Sequence, residues 1–241
     1  MNIFQFLIKI EKNFIYSLII LASQLYNTMS ETITTGVIRT YYDQDETKIR
    51  EEYFILNKKK EGVYRGYWDN EQLSTEVNYI DDKKNGIYKK YLDNAQIWYD
   101  VNFTNDELNG IFTLYSNNKP IVEINFINNK RNGITKIFDV NDCLKYEVEY
   151  VNSKMNGIFK IYLGDQIKYE SNYIDNNIHG VFKIYENNKL KYKVNDICNI
   201  NNENNENNKI KKEYANYLKI CKEFEEELFN IDESCSDFYL W

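Results

Sequence analysis

The sequence predicts an all-β repeat protein that is built from about seven β-hairpin repeats and followed by a C-terminal helix. Glycines recur roughly every 24 residues, apolar and polar residues alternate between them as in strands, and Asn- and Asp-rich turns separate those strands. The composition agrees, because 22 Tyr and 13 Phe with a single Pro among 241 residues favour strands over a helical bundle.

Seven glycines define the repeat. Each is followed at once by Val or Ile and, five residues later, by Tyr or Phe. The six from Gly62 onward are also preceded, ten residues earlier, by Asp or Glu. Offsets that stay constant over six units indicate a true repeat of one supersecondary unit. The repeat glycines are Gly36, Gly62, Gly86, Gly110, Gly133, Gly157 and Gly180.

The second half of each unit has the period of two that is typical of a strand with one buried face. In the segment LKYEVEY, Tyr146 and Val148 point to one side, and Lys145 and Glu147 point to the other. The first half, such as GIFKIY, alternates less cleanly, so both faces of that strand need partial cover. A lone hairpin is marginal in water, but hairpins set side by side share ladders and bury each other's aromatic columns.

Two kinds of turn are predicted. Within a unit, pairs such as Asn117-Asn118 separate the strands, because Asn, Asp and Gly tolerate positive φ. Between units, the turn is expected to end in Asn-Gly, as at Asn156-Gly157, with the glycine in a backbone conformation that a Cβ would penalise. His179 stands in the place of that Asn and is expected to serve the turn rather than catalysis.

The residues of these units resemble the MORN-repeat family, in its variant form with a Gly-x-x-x-x-aromatic first strand and a Glu-x-x-aromatic second strand. The resemblance covers residues 36–196. It implies an elongated, single-layer, twisted antiparallel sheet and a role as a scaffold, an adaptor or a membrane-apposed module; some bacterial members resemble antitoxins. The chain departs from the family in its strand-connecting turns, which mostly carry Asn or Asp where the family often has another Gly.

An acidic column lies ten residues before the repeat glycines. Neighbouring members would be two strands apart, about 9.5 Å, which is too far for a retaining pair of catalytic carboxylates, and an inverting enzyme uses one asymmetric pair rather than a ladder. We expect these acids to pair with Lys or Arg on adjacent strands, each exposed pair contributing about 0 to 1 kcal/mol. The column is Glu52, Glu76, Asp100, Glu123, Glu147 and Glu170.

A basic column lies three residues after the repeat glycines and is interrupted only by Thr113. It is a candidate interaction rail for an acidic partner or for phospholipid headgroups. A solvated face is the simpler interpretation, because the net charge is −7 and the acidic column runs parallel to it. The basic rail is Arg39, Arg65, Lys89, Lys136, Lys160 and Lys183.

No pattern in the chain indicates an enzyme. His179 is the only histidine, so the sequence offers neither a nucleophile–base pair nor a histidine metal cluster, and Asn-Gly-Ile lacks the clustered glycines of a phosphate loop. The four cysteines form no CxxC pair and are interpreted as reduced thiols in a reducing compartment. We therefore expect no catalytic residue, no cofactor and no metal. The cysteines are Cys143, Cys198, Cys221 and Cys235.

Residues 1–28 are an apolar N-terminal segment with two interpretations. The run FIYSLIILAS follows two lysines in the manner of a signal peptide or anchor, but Glu11 interrupts the leader and the run is shorter than the roughly 20 residues of a membrane span. Alternatively the segment is an upstream extension, because Met29 opens MSETITTG just before the repeats. The chain is expected to be cytoplasmic, with membrane association or secretion only if residues 1–28 are a real signal.

The character of the chain changes after the repeats. Residues 197–209 are Asn-rich and are predicted to form a linker, whereas residues 210–231 predict an amphipathic helix with the seam of a coiled coil. The helix is expected either to fold back and cap an exposed end of the sheet or to dock a partner or a second copy. Capping is favoured, because open sheet edges are usually covered. The seam is Ile210, Tyr214, Tyr217, Cys221, Phe224, Leu228 and Ile231.

The expected function is that of a non-enzymatic scaffold or adaptor whose extended β-sheet surface binds a protein partner. Rows of Tyr and Phe bury large areas at low entropy cost when a partner covers them. The alternatives are a membrane-apposed scaffold that binds lipid headgroups and an antitoxin-like immunity protein that blocks a toxin. Nucleic acid is not an expected partner, because a net charge of −7 does not provide the basic surface that phosphates require.

Overall fold

The computed structural model describes residues 34–195 and 205–234. Within these ranges the chain forms one long, open antiparallel sheet of 15 strands and one C-terminal helix, α1 (Asn205–Ser234). The predicted fold class is confirmed. The strands are β1 Gly36–Tyr41, β2 Ile49–Leu56, β3 Lys59–Tyr67, β4 Leu73–Ile80, β5 Lys83–Lys84, β6 Gly86–Tyr91, β7 Ile97–Thr104, β8 Glu107–Ser116, β9 Lys119–Ile127, β10 Lys130–Phe138, β11 Leu144–Val151, β12 Lys154–Leu163, β13 Gln166–Ile174, β14 Asn177–Glu186 and β15 Lys189–Val194.

The strands follow the order of the sequence across the sheet, from β1 at one edge to β15 at the other, while the short β5 pairs with β4. Seven hairpins result, each with one repeat glycine: β1–β2, β3–β4, β6–β7, β8–β9, β10–β11, β12–β13 and β14–β15. Because every strand except β5 pairs with the strands that precede and follow it along this order, the sheet is built by short local connections alone.

The turns between units lie earlier than the sequence predicted. At Asn152-Ser153 both residues have positive φ, 51° and 65°, as a two-residue type I′ turn requires, and Val151 faces Lys154 across it. In the other units, the second residue of the equivalent pair also lies four residues before a repeat glycine. The predicted Asn-Gly turn is therefore wrong. Asn and Asp tolerate positive φ at both positions, and the earlier turn leaves a longer paired strand. His179 is likewise an exposed residue inside β14, not a turn residue, and its φ is not positive.

The repeat glycines instead lie inside the strands, and all seven have positive φ. Gly157, with a φ of 130°, lies where the register between β11 and β12 shifts. There the Glu149 carboxylate accepts a hydrogen bond from the Ile158 N–H at 3.1 Å. A Cβ on Gly157 would lie 2.8 Å from the Glu149 Cβ and closer still to its carboxylate. Glycine therefore lets a side chain of the neighbouring strand cross over the backbone.

Gly157→Ala is expected to lower the free energy of unfolding by about 2 to 3 kcal/mol. About 1 to 2 kcal/mol comes from positive φ in a residue with a Cβ, and about 1 kcal/mol from the displaced Glu149 hydrogen bond. Gly62→Ala is the matched control, because Gly62 also has positive φ but no atom lies within 4 Å of its ideal Cβ. Chemical denaturation of both variants measures the difference, and equal losses would show that the Glu149 contact is unimportant.

One face of the sheet, called the inner face, carries the core. It bears alternate residues of successive strands, such as Val101, Ile124 and Val148, and it includes Phe159, whose exposed fraction is 0%. Tyr146 and Val148 are buried on this face, as the alternation of β11 predicted. The opposite, outer face bears the charged residues of the repeat.

Lys145 departs from the predicted alternation. The register between β10 and β11 shifts here. Leu144 and Tyr146 each face a residue of β10, but Lys145 faces none. A bulge of this kind bends the strand and re-aims the extra residue. The Lys145 ammonium therefore lies over the Tyr146 ring, 4.8 Å from its centroid, and pairs with Glu227 of α1 at 2.7 Å.

The helix α1 packs on the inner face of the C-terminal units. The ring centroid of Tyr217 lies 4.9 Å from that of Phe182, and the ring centroid of Phe224 lies 5.0 Å from that of Phe159. Tyr217 and Phe224 are almost completely buried, and the predicted seam packs on the core from Tyr214 to Ile231. The apolar columns of the sheet and the helix thus form one core.

Hydrogen bonds fix the position of α1 along the sheet. The Tyr217 hydroxyl lies 2.5 Å from the Ser171 hydroxyl and 3.0 Å from the Tyr173 hydroxyl. The Tyr173 hydroxyl contacts the Cys221 Sγ at 3.7 Å. Burial raises the pKa of both Tyr217 and Tyr173, so these hydroxyls stay protonated. Ser171 stands where five of the other six units have Val or Ile, and its small polar side chain leaves room for the Tyr217 hydroxyl and bonds to it.

The helix differs from the prediction in its bounds and in its location. It begins at Asn205, so residues 205–209 of the predicted linker are helical, and it ends beyond 231, at Ser234. Polar Asn and Glu give no periodic signal, but extending a helix that already packs on the sheet costs little. The helix covers part of the inner face rather than an end of the sheet, because the aromatic columns offer more apolar area than a strand edge does.

Several predictions concern residues that the structure does not describe. Residues 1–28 with both of their interpretations, residues 197–204 of the predicted linker, Cys198 and Cys235 all lie outside the described ranges. Cys143 and Cys221 carry free thiols. In the described part of the chain, α1 included, no helix combines the length and apolar character needed to cross a membrane.

Candidate interaction surfaces

The acidic column and the basic rail form a single row on the outer face. The antiparallel register interleaves them, so that Glu147, for example, faces Lys136 on one side and Lys160 on the other. The row, here called the charge row, alternates in sign across the sheet except at Thr113. It ends with two like charges, because Lys183 faces Lys193 on the edge strand β15.

Several neighbours in the charge row form ion pairs. Each is partly exposed, so each contributes about 1 kcal/mol or less. Lys89 lies opposite both Glu76 and Asp100. The basic rail is therefore interrupted by carboxylates and is not a continuous cationic strip. The N–O distances are 2.6 Å for Arg39–Glu52, 2.9 Å for Arg65–Glu76, 3.7 Å for Lys136–Glu123, 2.6 Å for Lys160–Glu147 and 2.5 Å for Lys183–Glu170.

Thr113→Lys is expected to complete the charge row and raise the free energy of unfolding by about 0.2 to 1 kcal/mol. Thr113 lies between Asp100 and Glu123, and Asp100 now accepts a hydrogen bond from the Tyr115 hydroxyl at 3.1 Å. Thr113→Gln is the uncharged control. The gain over that control should shrink at high salt, because partly exposed charges are screened. No gain at low salt would mean that the row is not coupled electrostatically.

Two further rows flank the charge row on the outer face. On one side lie the aromatic residues that follow each repeat glycine by five positions, such as Tyr115 and Tyr185, and both of these hydroxyls donate to acids of the charge row. On the other side lie the Val and Ile residues that follow each glycine directly. We call these the aliphatic row. Its most exposed members are Val37, Val63, Ile87, Ile111 and Ile134, between 41% and 58% exposed.

A cavity of about 840 Å³ opens on the inner face over the N-terminal units. Its aromatic lining includes Tyr64 and Tyr79, and two lysines project over the rings. The Lys60 ammonium lies 4.8 to 5.1 Å from three tyrosine ring centroids, and the Lys84 ammonium lies 5.1 Å from the centroid of Phe103. Burial raises the pKa of Tyr79 to about 12. The cavity thus combines ring faces with cationic donors.

The sequence prediction did not include Lys60 and Lys84. Both stand two residues before a repeat glycine, and the same position holds Leu108, Arg131, Met155 and Ile178 in later units. A comparison of the repeat column by column would have shown that this position changes from basic to mostly apolar residues. The offset alone did not show that the column faces the core side of the sheet.

The described residues contain no group of three or more His, Cys, Asp or Glu side chains arranged to hold a metal ion. The repeat glycines lie in strand backbone and the basic rail lies in the charge row. The structure brings the rail together with the acidic column and keeps both apart from the inner cavity.

The chain matches no protein-family model and no curated protein. Among solved structures it is similar to S. aureus TarM, in a mutant form solved with fondaparinux, α-GlcNAc-glycerol and UDP, and to a second structure of TarM. Each match has 15% identity and a TM-score of 0.20, and covers 72% of this chain and 24% of TarM. No family is assigned on this basis. The chain spans about a quarter of TarM, and a TM-score this low carries no functional argument.

Proposed function

We propose that this chain is a non-enzymatic scaffold that binds a protein partner along the outer face of its sheet. The observation that carries the proposal is the aliphatic row. Ile87 and Ile111, for example, are 58% and 53% exposed on successive units. Asn102 and Asn125 face Ile87 and Ile111 across their hairpins, so the row is a regular series of apolar side chains set among polar ones. Such a repeated pattern distinguishes it from single exposed apolar residues, which need no explanation.

The geometry of the outer face supports this function in a second way. The aliphatic row runs beside the charge row, so a partner could bury apolar area while it aligns with alternating charges. Because consecutive strands share ladders, the side chains are held in place before binding, which lowers the entropy cost of association.

We do not propose the lipid-binding alternative. An anionic membrane attracts clustered lysines and arginines. Each cation of the basic rail, however, lies opposite one or two carboxylates, as Lys160 does between Glu147 and Glu170. The antitoxin-like alternative is a special case of partner binding, and the same experiment would identify such a partner.

The test is affinity purification with mass spectrometry from the native cellular background, followed by binding measurements with the purified partner. The full chain is compared with the double variant Ile87→Asp/Ile111→Asp. We expect the double variant to bind at least about tenfold more weakly, because burying each apolar side chain contributes roughly 1.5 to 3 kcal/mol. Circular dichroism checks that the substituted sheet is folded.

Val140→Asp is the matched control, because Val140 is 93% exposed in the turn after β10 and outside the aliphatic row. It should bind as the unaltered chain does. Full retention of the partner by the Ile87 and Ile111 double variant would overturn the outer face as the binding surface. Recovery of no specific protein partner would overturn the scaffold function itself.

A further inference from the structure

A recurring arrangement on the inner face connects lysine, tyrosine and the helix. The Lys145 ammonium lies over the Tyr146 ring and pairs with Glu227 of α1 at 2.7 Å. One unit later, the Lys168 ammonium lies 5.5 Å from the centroid of the Tyr169 ring and pairs with a second glutamate of α1, Glu213, at 3.7 Å. In both cases a lysine over an aromatic ring receives a carboxylate from a helix that packs on the sheet.

The same lysine-over-ring arrangement occurs in the cavity of the N-terminal units. Lys60 lies over the rings of Tyr53, Tyr64 and Tyr79, and Lys84 lies over Phe103. Among the residues that the structure describes, no ion pair joins either ammonium to a carboxylate. Within residues 34–195 and 205–234, no residue gives Lys60 or Lys84 the carboxylate that α1 gives to Lys145 and Lys168.

Three carboxylates line the cavity, and each has another hydrogen-bond donor. Glu51 accepts from the Tyr64 hydroxyl, Asp82 from the backbone N–H of Lys60 at 2.6 Å, and Asp106 from the backbone N–H of Lys84 at 2.7 Å. Burial lowers the pKa of Lys84, and the attraction of Asp106 does not compensate. A further carboxylate next to the Lys84 ammonium would offset this loss of solvation.

The size of the cavity favours a helix over a small ion. A volume of about 840 Å³ is far larger than one carboxylate needs, and its lining rings offer apolar contact. On the C-terminal units, similar rings pack against Tyr217 and Phe224 of an acidic amphipathic helix. Apolar rings with cationic donors complement a helix that has an aromatic seam and flanking glutamates.

We infer that the inner-face cavity binds an acidic amphipathic helix of a partner protein, with two carboxylates of that helix on Lys60 and Lys84. Its apolar seam packs on the tyrosine rings, as α1 packs on the C-terminal units. This site lies on the face opposite to the one used in the proposed function. The inference therefore goes beyond the proposed function, and the two are tested by different variants.

The probe is a fluorescein-labelled synthetic peptide with the sequence of residues 205–234. This is the sequence of α1, an acidic amphipathic helix that packs on the inner face of the C-terminal units. Fluorescence anisotropy measures its binding to the full chain, in which α1 remains in place. We expect saturable binding that Lys60→Gln/Lys84→Gln weakens at least about tenfold, because hydrogen bonds to charged groups are lost. Lys59→Gln/Lys83→Gln is the matched control, since these lysines are the exposed neighbours in the same strands.

A peptide in which Glu213 and Glu227 are replaced by Gln provides the second test. It should bind the unaltered chain about as weakly as the original peptide binds Lys60→Gln/Lys84→Gln, so a folding defect in the variant cannot explain the result. The Ile87→Asp/Ile111→Asp variant should bind the peptide normally, which separates this site from the outer face.

Three outcomes would overturn the inference. The first is no saturable binding to the unaltered chain. The second is equal affinity for the Lys60 and Lys84 variant and its matched control. The third is binding that depends on Lys145 and Lys168 but not on Lys60 and Lys84, because the peptide would then be displacing α1 from its own position.

Discussion

Replacing Phe224 with alanine is expected to lower the free energy of unfolding by about 3 to 5 kcal/mol. Phe224 is 1% exposed, and its ring centroid lies 5.0 Å from that of Phe159 and 5.1 Å from that of Tyr146. The substitution removes apolar area from the core and leaves a cavity between helix and sheet. A sheet whose strands are held by ladders on both sides cannot collapse to fill that cavity, so the loss should lie near the upper part of the range.

Phe229→Ala is the matched control for this prediction. Phe229 lies on the same helix but is 60% exposed, so its substitution should change the free energy of unfolding by no more than about 0.5 kcal/mol. Urea denaturation followed by circular dichroism gives both values. Similar losses for the two variants would contradict the packing of α1 on the inner face.

Raising the pH above about 10 is expected to unfold the C-terminal units steeply. The Tyr217 and Tyr173 hydroxyls are buried at the helix–sheet contact, and burial raises the pKa of each from the ordinary value of 10.0. Their stabilising effect is complete below the pKa of the unfolded chain. Above it the unfolded chain releases these protons while the folded chain keeps them, so each tyrosine lowers the free energy of unfolding by about 1.4 kcal/mol per pH unit.

Tyrosinate absorbance and circular dichroism, recorded together in an alkaline titration, measure this effect. Tyr217→Phe removes one of the two ionisable hydroxyls. The slope of its free energy of unfolding against pH should therefore be smaller than that of the unaltered chain by about 1.4 kcal/mol per pH unit. Phe229→Ala, at an exposed position of α1, leaves every tyrosine in place and should leave the slope unchanged. Ionisation of all tyrosines before any loss of structure would show that these hydroxyls are accessible in the folded chain.

The fold could be predicted because its signals are local and repeated. A constant spacing of Gly157 and its equivalents, and strand alternation as in Tyr146 and Val148, require no knowledge of distant contacts. The turn between units was placed four residues too late, because Asn-Gly is a strong turn signal and the Asn152-Ser153 pair is a weaker one. Only the register, with Val151 opposite Lys154, decides between them.

The interaction surfaces were harder to predict, because they depend on register and on distant packing. Sequence offsets placed the acidic and basic columns in parallel, but antiparallel pairing interleaves Glu147 with Lys136 and Lys160. A single bulged residue sends Lys145 to the face opposite to the predicted one. The match between Ser171 and Tyr217 joins residues 46 positions apart, and no periodic pattern indicates such a pair.

Lys193 of the edge strand β15, which faces Lys183 of β14, disfavours growth of the sheet by addition of a second molecule. At an internal junction, the second strand of one unit offers an acid to the base of the next, as Glu147 does to Lys160. A copy that added its β1 to β15 in the same register would instead set Arg39 opposite Lys193, and like charges directly opposite each other are destabilising. Lysine on an edge strand is one means by which β proteins avoid edge-to-edge association. Lys193 in the last strand thus disfavours the edge-to-edge association that would join one sheet to the next.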